Sequence, residues 1–234
     1  MATLIFDSCR VYVAGQDISG LSNQVQMNVQ GDEVESTTFG SGGFKEYKPG
    51  LLSVNGQVTG YSQFAEPDAS LFGDLRTSRV VTVGVDDTDG AAAYATQGFS
   101  ASYQPWGGTV GGMAGFQYNL RGDSPMGKGF MGLEKQSVSG NTTGTGQQIA
   151  SGISATQKLA MAIHVFTAGT TADVNVESDD NSGFTSATER LTQTVTAVGG
   201  YWVETSGAIT DDYFRVTVDT VTGTFSLAVA VVRV

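Results

Sequence analysis

The feature that most constrains this chain is an alternation of period two. In Gln24-Val25-Gln26-Met27-Asn28-Val29-Gln30 apolar residues alternate with amide side chains, so in a strand Val25, Met27 and Val29 share one face and the amides the other. A helix would scatter both sets round its circumference. The pattern returns in Leu52-Ser53-Val54-Asn55-Gly56-Gln57-Val58-Thr59, and two such segments predict a sheet with one dry face and one wet one.

Further strands are predicted over 3–6, 11–13, 80–85, 91–103, 112–120 and 129–138, divided by turn clusters such as Asp86-Asp87-Thr88-Asp89-Gly90. One short helix is predicted over 67–75, with Pro67 in its first turn and Asp68 and Asp74 flanking Leu71 and Phe72. Glycine supplies 32 of the 234 residues and proline only 4, which excludes a Pro-rich linker protein, and the glycines are aperiodic, which excludes collagen. At 40% hydrophobic and 15% charged, the chain can bury one or two ordinary cores.

Residues 137–146 contain only Ser, Thr, Gly, Asn and one Val. That composition reads as a polar linker at 140–146, joining a domain of residues 1–139 to one of residues 147–234. Beyond it, strands over 158–166, 172–178, 189–196, 201–204, 213–219 and 224–232 recur at the spacing of an antiparallel sandwich. The expected fold is all-β: a β-sandwich or partial barrel with one short helix, followed by an Ig-like antiparallel β-sandwich.

Charge and the rarer residues narrow the function. The net charge is -11 and both halves are acidic, which argues against a grip on nucleic acid, because phosphate contacts rest on Lys and Arg. It leaves open DNA passing nearby. The lone Cys9 cannot form an intramolecular disulfide, and the lone His164, set in the apolar run Ala160 to Phe166, reads as a structural histidine without a nucleophile or second ligand. Asp86-Asp87-Thr88-Asp89, Asp179-Asp180-Asn181 and Asp211-Asp212 read as turns, since no closing Glu completes a calcium loop. Arg121-Gly122-Asp123 and Asn141-Thr142-Thr143 match adhesion and glycosylation patterns that are frequent by chance, and no Gly-Lys-Ser or Gly-Lys-Thr follows the glycine clusters. No catalytic residue, metal site or cofactor is assigned, and no enzyme is expected, although a paired-carboxylate hydrolase stays open as a competing class. No window reaches the roughly 18 to 20 apolar residues needed to cross a bilayer, so a soluble chain made in the cytoplasm is expected.

Between the two alternating strands lies Thr37-Thr38-Phe39-Gly40-Ser41-Gly42-Gly43-Phe44-Lys45-Glu46-Tyr47-Lys48-Pro49-Gly50. Loops this long tend to be functional or disordered, and three aromatics favour function. From Leu21 to Leu51 the chain resembles the signature of major tail proteins, or tail tube proteins, of long-tailed non-contractile bacteriophages. There, a strand ending in an acidic, Thr-rich segment leads into Thr-Thr-Phe-Gly-Ser-Gly-Gly, then an aromatic and charged stretch, then Pro-Gly-Leu opening an alternating strand. Residues 1–139 are similar to the family in outline, and the segment after them, with Val176 to Phe184, resembles carboxy-terminal β-sandwich extensions carried by some members.

The resemblance implies a structural subunit of a virion tail, assembled in the bacterial host cytoplasm as hexameric rings stacked into a tube through which double-stranded DNA passes. Its implied partners are itself and the tape measure, tail terminator and tail tip proteins, with no membrane insertion. Phe39, Gly40, Gly42, Gly43, Phe44, Tyr47 and Pro49 would form an inter-subunit loop. Gln24, Gln26, Asn28, Gln30, Asn55, Gln57 and Thr59 would line the channel, although alternation alone leaves the amides free to face a lumen, a partner or outside solvent. A phage decoration or carbohydrate-binding β-sandwich protein is the alternative.

Overall fold

The structure, a computed structural model, describes residues 8–63, 68–149 and 152–234. The strand expected over 3–6 and the expected helix start at Pro67 lie outside these residues. In chain order the elements are β1 (Arg10–Val13), β2 (Gln16–Asp17), β3 (Ser22–Glu35), β4 (Tyr47–Tyr61), α1 (Asp68–Gly73), β5 (Ser78–Gly84), β6 (Ala92–Gly107), β7 (Gly115–Gly122) and β8 (Gly127–Val138). They continue with β9 (Thr142–Thr143), β10 (Gln147–Gln148), β11 (Lys158–Thr167), β12 (Thr171–Asp179), β13 (Thr188–Val195), β14 (Gly199–Ser206), β15 (Tyr213–Thr222) and β16 (Phe225–Arg233). Among the described residues the protein is all-β apart from the single turn and a half of α1.

Eleven strands form one sheet in the order β14-β11-β16-β8-β6-β5-β1-β2, and from β6 a branch leads through β7 and β4 to β3. The second sheet runs β10-β15-β12-β13, with β9 also on β15. The large sheet curls until β5 and β2 approach β11 and β14. It is long β6 that serves both parts: Ala92 to Ala95 pair with β8, and Gly98 to Gly107 pair with β7.

Curling stacks the strands in layers with three cores between them. The first core packs Val58, Phe116, Tyr118 and Leu120 from β4 and β7 against Val11, Val13, Val81 and Val83 from β1 and β5, with Leu71 of α1 at its side. The middle core lies between β1, β5 and β6 and the pair β11 and β16: Tyr12, Val80, Ala93 and Ala95 meet Ala160, Ala162, Ala228, Ala230 and Val232, with Met131 of β8 beside them. The third fills the sandwich between β8, β11 and β16 and the second sheet, with Leu159, Met161, Ile163, Leu227, Val229 and Val231 against Val174, Val176, Phe214, Val216 and Val218. Strands β11 and β16 are therefore buried on both faces. In β11, large residues at 159, 161, 163 and 165 point to the sandwich, while Ala160 and Ala162 let the other layer approach closely.

The division read at 139–147 is crossed by hydrogen bonds. β8 from the first segment pairs with β16 from the second over Phe225↔Val138 to Arg233↔Lys128, and Phe130, Leu133 and Val138 belong to the sandwich core. The segment 140–146 is itself bonded into the fold: β9 pairs with β15 at Thr142↔Val218 and Thr143↔Thr217. The Gly144 N–H donates to the Val216 carbonyl at 2.9 Å, and Gly144 lies so close to the Gly132 carbonyl that no side chain fits there. Ser, Thr and Gly suit a linker, and they equally suit a short edge strand in close contact.

Candidate functional site

The four strands β3-β4-β7-β6 carry one continuous polar face. Register places Gln24, Gln26 and Asn28 opposite Thr59, Gln57 and Asn55, and Gln30 opposite Ser53. On the other side of β4, Thr59, Gln57 and Asn55 stand opposite Gln117, Asn119 and Arg121. Ser102 and Gln104 of β6 stand opposite Asn119 and Gln117. All seven residues expected on the polar rows thus share a face, while Val58, Phe116, Tyr118 and Leu120 turn into the first core. Burial of that core fixes the register, since a slip of one residue would drive every amide into it.

The amides bond to one another along the face. Gln57 Nε2 donates to Asn119 Oδ1 at 3.1 Å, Gln117 Nε2 donates to the same oxygen at 3.2 Å, and Asn119 Nδ2 donates to Ser102 Oγ at 2.8 Å. Arg121 donates to Asn55 Oδ1. A shallow depression of about 380 Å³ lies over these groups, lined by Gln26, Asn28, Asn55, Gln57, Asn119 and Arg121. Gln104, Gln117, Asn119 and Arg121 were missed as members of this face, yet Phe116-Gln117-Tyr118-Asn119-Leu120-Arg121 alternates as clearly as β3 does.

Beyond Gly31 and Leu52 the β3–β4 pair leaves the body as a two-stranded arm, out to Glu35↔Tyr47. Both faces of the arm are in solvent: Leu51 is 81% and Leu52 76% exposed, although they are consecutive. At the tip Phe39 is fully exposed, Phe44 is 80% exposed and Tyr47 is 53% exposed. Local bonds shape the loop. Thr38 N–H donates to Ser41 Oγ at 3.0 Å, Ser41 N–H donates to the Thr38 carbonyl at 3.0 Å, and Glu46 N–H donates to Thr37 Oγ1 at 3.0 Å. Gly42 and Gly43 take φ of 62° and 87°, the left-handed region that glycine enters without strain. Pro49 faces Glu33 on a stretch of β4 that has a neighbour on one side only, where a missing N–H costs no ladder bond. Phe39, Gly40, Gly42, Gly43, Phe44, Tyr47 and Pro49 all lie on this arm.

A second set of exposed apolar residues was not foreseen. Trp106, Val110, Met113 and Tyr61 gather at the β6–β7 turn and the adjoining end of β4, and Val110 is fully exposed. This end of the sheet is opposite the arm, because β4 runs from the arm at Tyr47 to Tyr61 beside Gly115. Glycines bracketing isolated large residues, in Trp106-Gly-Gly-Thr-Val110-Gly-Gly-Met113, were the available signal.

The other groups weighed in the sequence hold structure together. His164 is fully buried, accepting the Gly15 N–H at Nδ1 (3.3 Å) and facing Thr82 Oγ1 from Nε2 (2.9 Å). Asp179 accepts the Asn181 and Ser186 N–H groups, and Asp211 accepts Ser178 Oγ and Arg190, which hold its carboxyl below the usual range. Asp87 pairs with Arg10 at 2.6 Å, and Asp89 accepts the Glu134 N–H at 2.6 Å. Asp123 accepts Ser78 Oγ at 2.6 Å. Among the described residues no group of three or more His, Cys, Asp or Glu is gathered as metal ligands, and no helix is long and apolar enough to cross a membrane.

No family model and no curated protein matches the chain. Among solved structures it is similar to a chain of the virion of a native gene transfer agent particle, at 16% identity and a TM-score of 0.39 over 51% of this chain and 94% of that one. It is similar to a chain in the tail of an empty gene transfer agent particle of C6 symmetry, at 16% identity and a TM-score of 0.37 over 45% and 80%. A third is the SPP1 Dit protein, described as a paradigm of the hub adsorption apparatus in phages infecting Gram-positive bacteria, at 11% identity and a TM-score of 0.40 over 97% and 100%.

Proposed function

We propose that this chain is a non-enzymatic structural subunit of a phage tail, and within the tail a tube subunit whose polar sheet faces a DNA channel. One observation carries the reading: a four-stranded sheet with an unbroken amide face ends, at its two opposite poles, in exposed apolar tips. Exposed apolar side chains gathered at one place suit a contact site, and two different contact sites on one body generate rings or open filaments. The sequence signature from Leu21 to Leu51 points the same way.

Strand spacing constrains the ring. Four strands at about 4.8 Å give each protomer about 19 Å of wall. Six such walls close a circle about 37 Å across between backbones, leaving about 27 Å once inward side chains are allowed for, and strand tilt widens it further. A duplex, whose two groove depths sum to about 16 Å, passes; three walls leave less than about 10 Å. Six copies per ring, the number the resemblance from Leu21 to Leu51 implies, is compatible with this spacing, with rings stacked through arm and β6–β7 turn, and with tape measure, terminator and tip proteins as the remaining partners in the virion.

Negative-stain imaging of the concentrated full chain tests it. Rings or tubes with a central hole are expected. A chain that stays monomeric at high concentration and instead binds capsids or glycans is a decoration or sugar-binding protein.

A further inference from the structure

The polar face holds a single formal charge. Across the registered parts of its strands, Ser22 to Gln30, Ser53 to Tyr61, Gly115 to Gly122 and Phe99 to Gln104, the only charged side chain is Arg121. It is exposed, and among the described residues it makes no ion pair, although acids outnumber bases 23 to 12 in this chain. The acid two residues on, Asp123, is engaged by Ser78 instead. Asn55 accepts one guanidinium N–H, which aims the group over the depression and leaves most of its five donors open.

We propose that Arg121 is a phosphate contact for duplex DNA, one per protomer, set in a neutral field of amides. The inference rests on the reading that this face meets DNA. A guanidinium suits a phosphodiester oxyanion by charge and by its fork of donors, and the surrounding Asn28, Gln57 and Asn119 offer exchangeable hydrogen bonds without further charge. The depression is open and lined by side chains from four strands, which fits a passing polyanion rather than an enclosed small anion. One such contact gives grip that is weak and salt-sensitive: a single neutralised phosphate makes affinity fall with salt at a log-log slope of about −0.9.

The test places a photo-crosslinking amino acid at Ser102, beside Asn119 on this face, in the full chain, with exposed Thr194 on the second sheet as the control position. Each is irradiated with a duplex of about 20 base pairs. Cross-linking from 102 above the control is expected, and a fourfold rise in salt should cut it about 3.5-fold. R121Q should lower the yield and remove most of that salt dependence, and R121K should restore the dependence. Cross-linking from 102 that R121Q leaves unchanged overturns the Arg121 contact while keeping the face on DNA. No cross-linking above the control overturns both. Loss of cross-linking to inorganic phosphate, beyond that caused by chloride at equal ionic strength, makes the depression a small-anion pocket and overturns the duplex contact.

Discussion

His164 of β11 and Thr82 of β5 face each other at 2.9 Å across the middle core, bonded through Nε2 while Nδ1 accepts the Gly15 N–H. With Nδ1 accepting, the neutral ring carries its proton on Nε2 and donates it to Thr82. Burial pushes the imidazole pKa down to about 3, with Asp17 pulling weakly the other way. The unfolded chain takes up this proton near pH 6.5 and the folded chain only near 3, so stability rises with pH through that window and falls as pH drops from 6.5. At about 1.4 kcal/mol per pH unit, roughly 2 kcal/mol is lost between neutrality and pH 5. Urea unfolding at pH 7 and pH 5 measures this. H164Q, which can keep both hydrogen bonds, should show little of the difference; an equal difference in H164Q would assign the pH dependence to other groups.

The fragment 1–139 should fail to fold cooperatively. Cutting there strips β11 and β16 from the middle core, where they face Tyr12, Val80, Ala93 and Ala95, and leaves Phe130, Leu133 and Val138 in water. Circular dichroism through a thermal ramp reads the outcome. A sharp transition at a temperature near that of the full chain would establish residues 1–139 as an independent domain.

Replacing Phe39, Phe44 and Tyr47 together with Ser should leave stability within about 0.5 kcal/mol, because exposed side chains support little of the fold. Stacking into assemblies longer than one ring should be lost, as measured by sedimentation velocity. Substituting Val110 and Met113 with Asp should do the same from the other end of the sheet. If the two ends meet each other, mixing the variants should restore one junction and stop there. Arm-to-arm contact would instead leave the Val110 and Met113 variant fully competent.

Gln26 and Gln57 stand opposite each other on the polar face. Changing both to Lys costs one amide bond to Asn119 and adds two positive charges per protomer. Tubes of normal length with slowed DNA ejection are expected, the delay shrinking as salt rises. Ejection at the native rate from particles that contain the lysines would move this face out of the channel.

The strands with one wet face were legible because burial on a single side writes period two into the sequence, as in Gln24 to Gln30. Those buried twice were legible as strands but not in their layering. In β11 the run Leu159-Ala160-Met161-Ala162-Ile163 is apolar throughout, and only its alternation of large and small betrays two unequal neighbours. Pairing of β8 with β16 joins residues about a hundred apart, and no local pattern specifies it. Arg121 was read inside a chance tripeptide, when its place at the end of an alternating run was the useful signal. The aromatic arm stood out by composition, whereas the opposite tip, diluted by glycines, did not.

The pairing of β8 with β16 also sets a clock. During synthesis Val138 leaves the ribosome well before Phe225, and at 5–20 residues per second that interval is on the order of ten seconds. Throughout it, the backbone groups of β8 that β16 will occupy are an uncovered edge, flanked by Phe130 and Leu133, open to pairing with another copy of the chain. Premature pairing between nascent copies is thus the hazard this topology carries. Slowing translation between codons 139 and 224 should raise the insoluble fraction without changing a single residue.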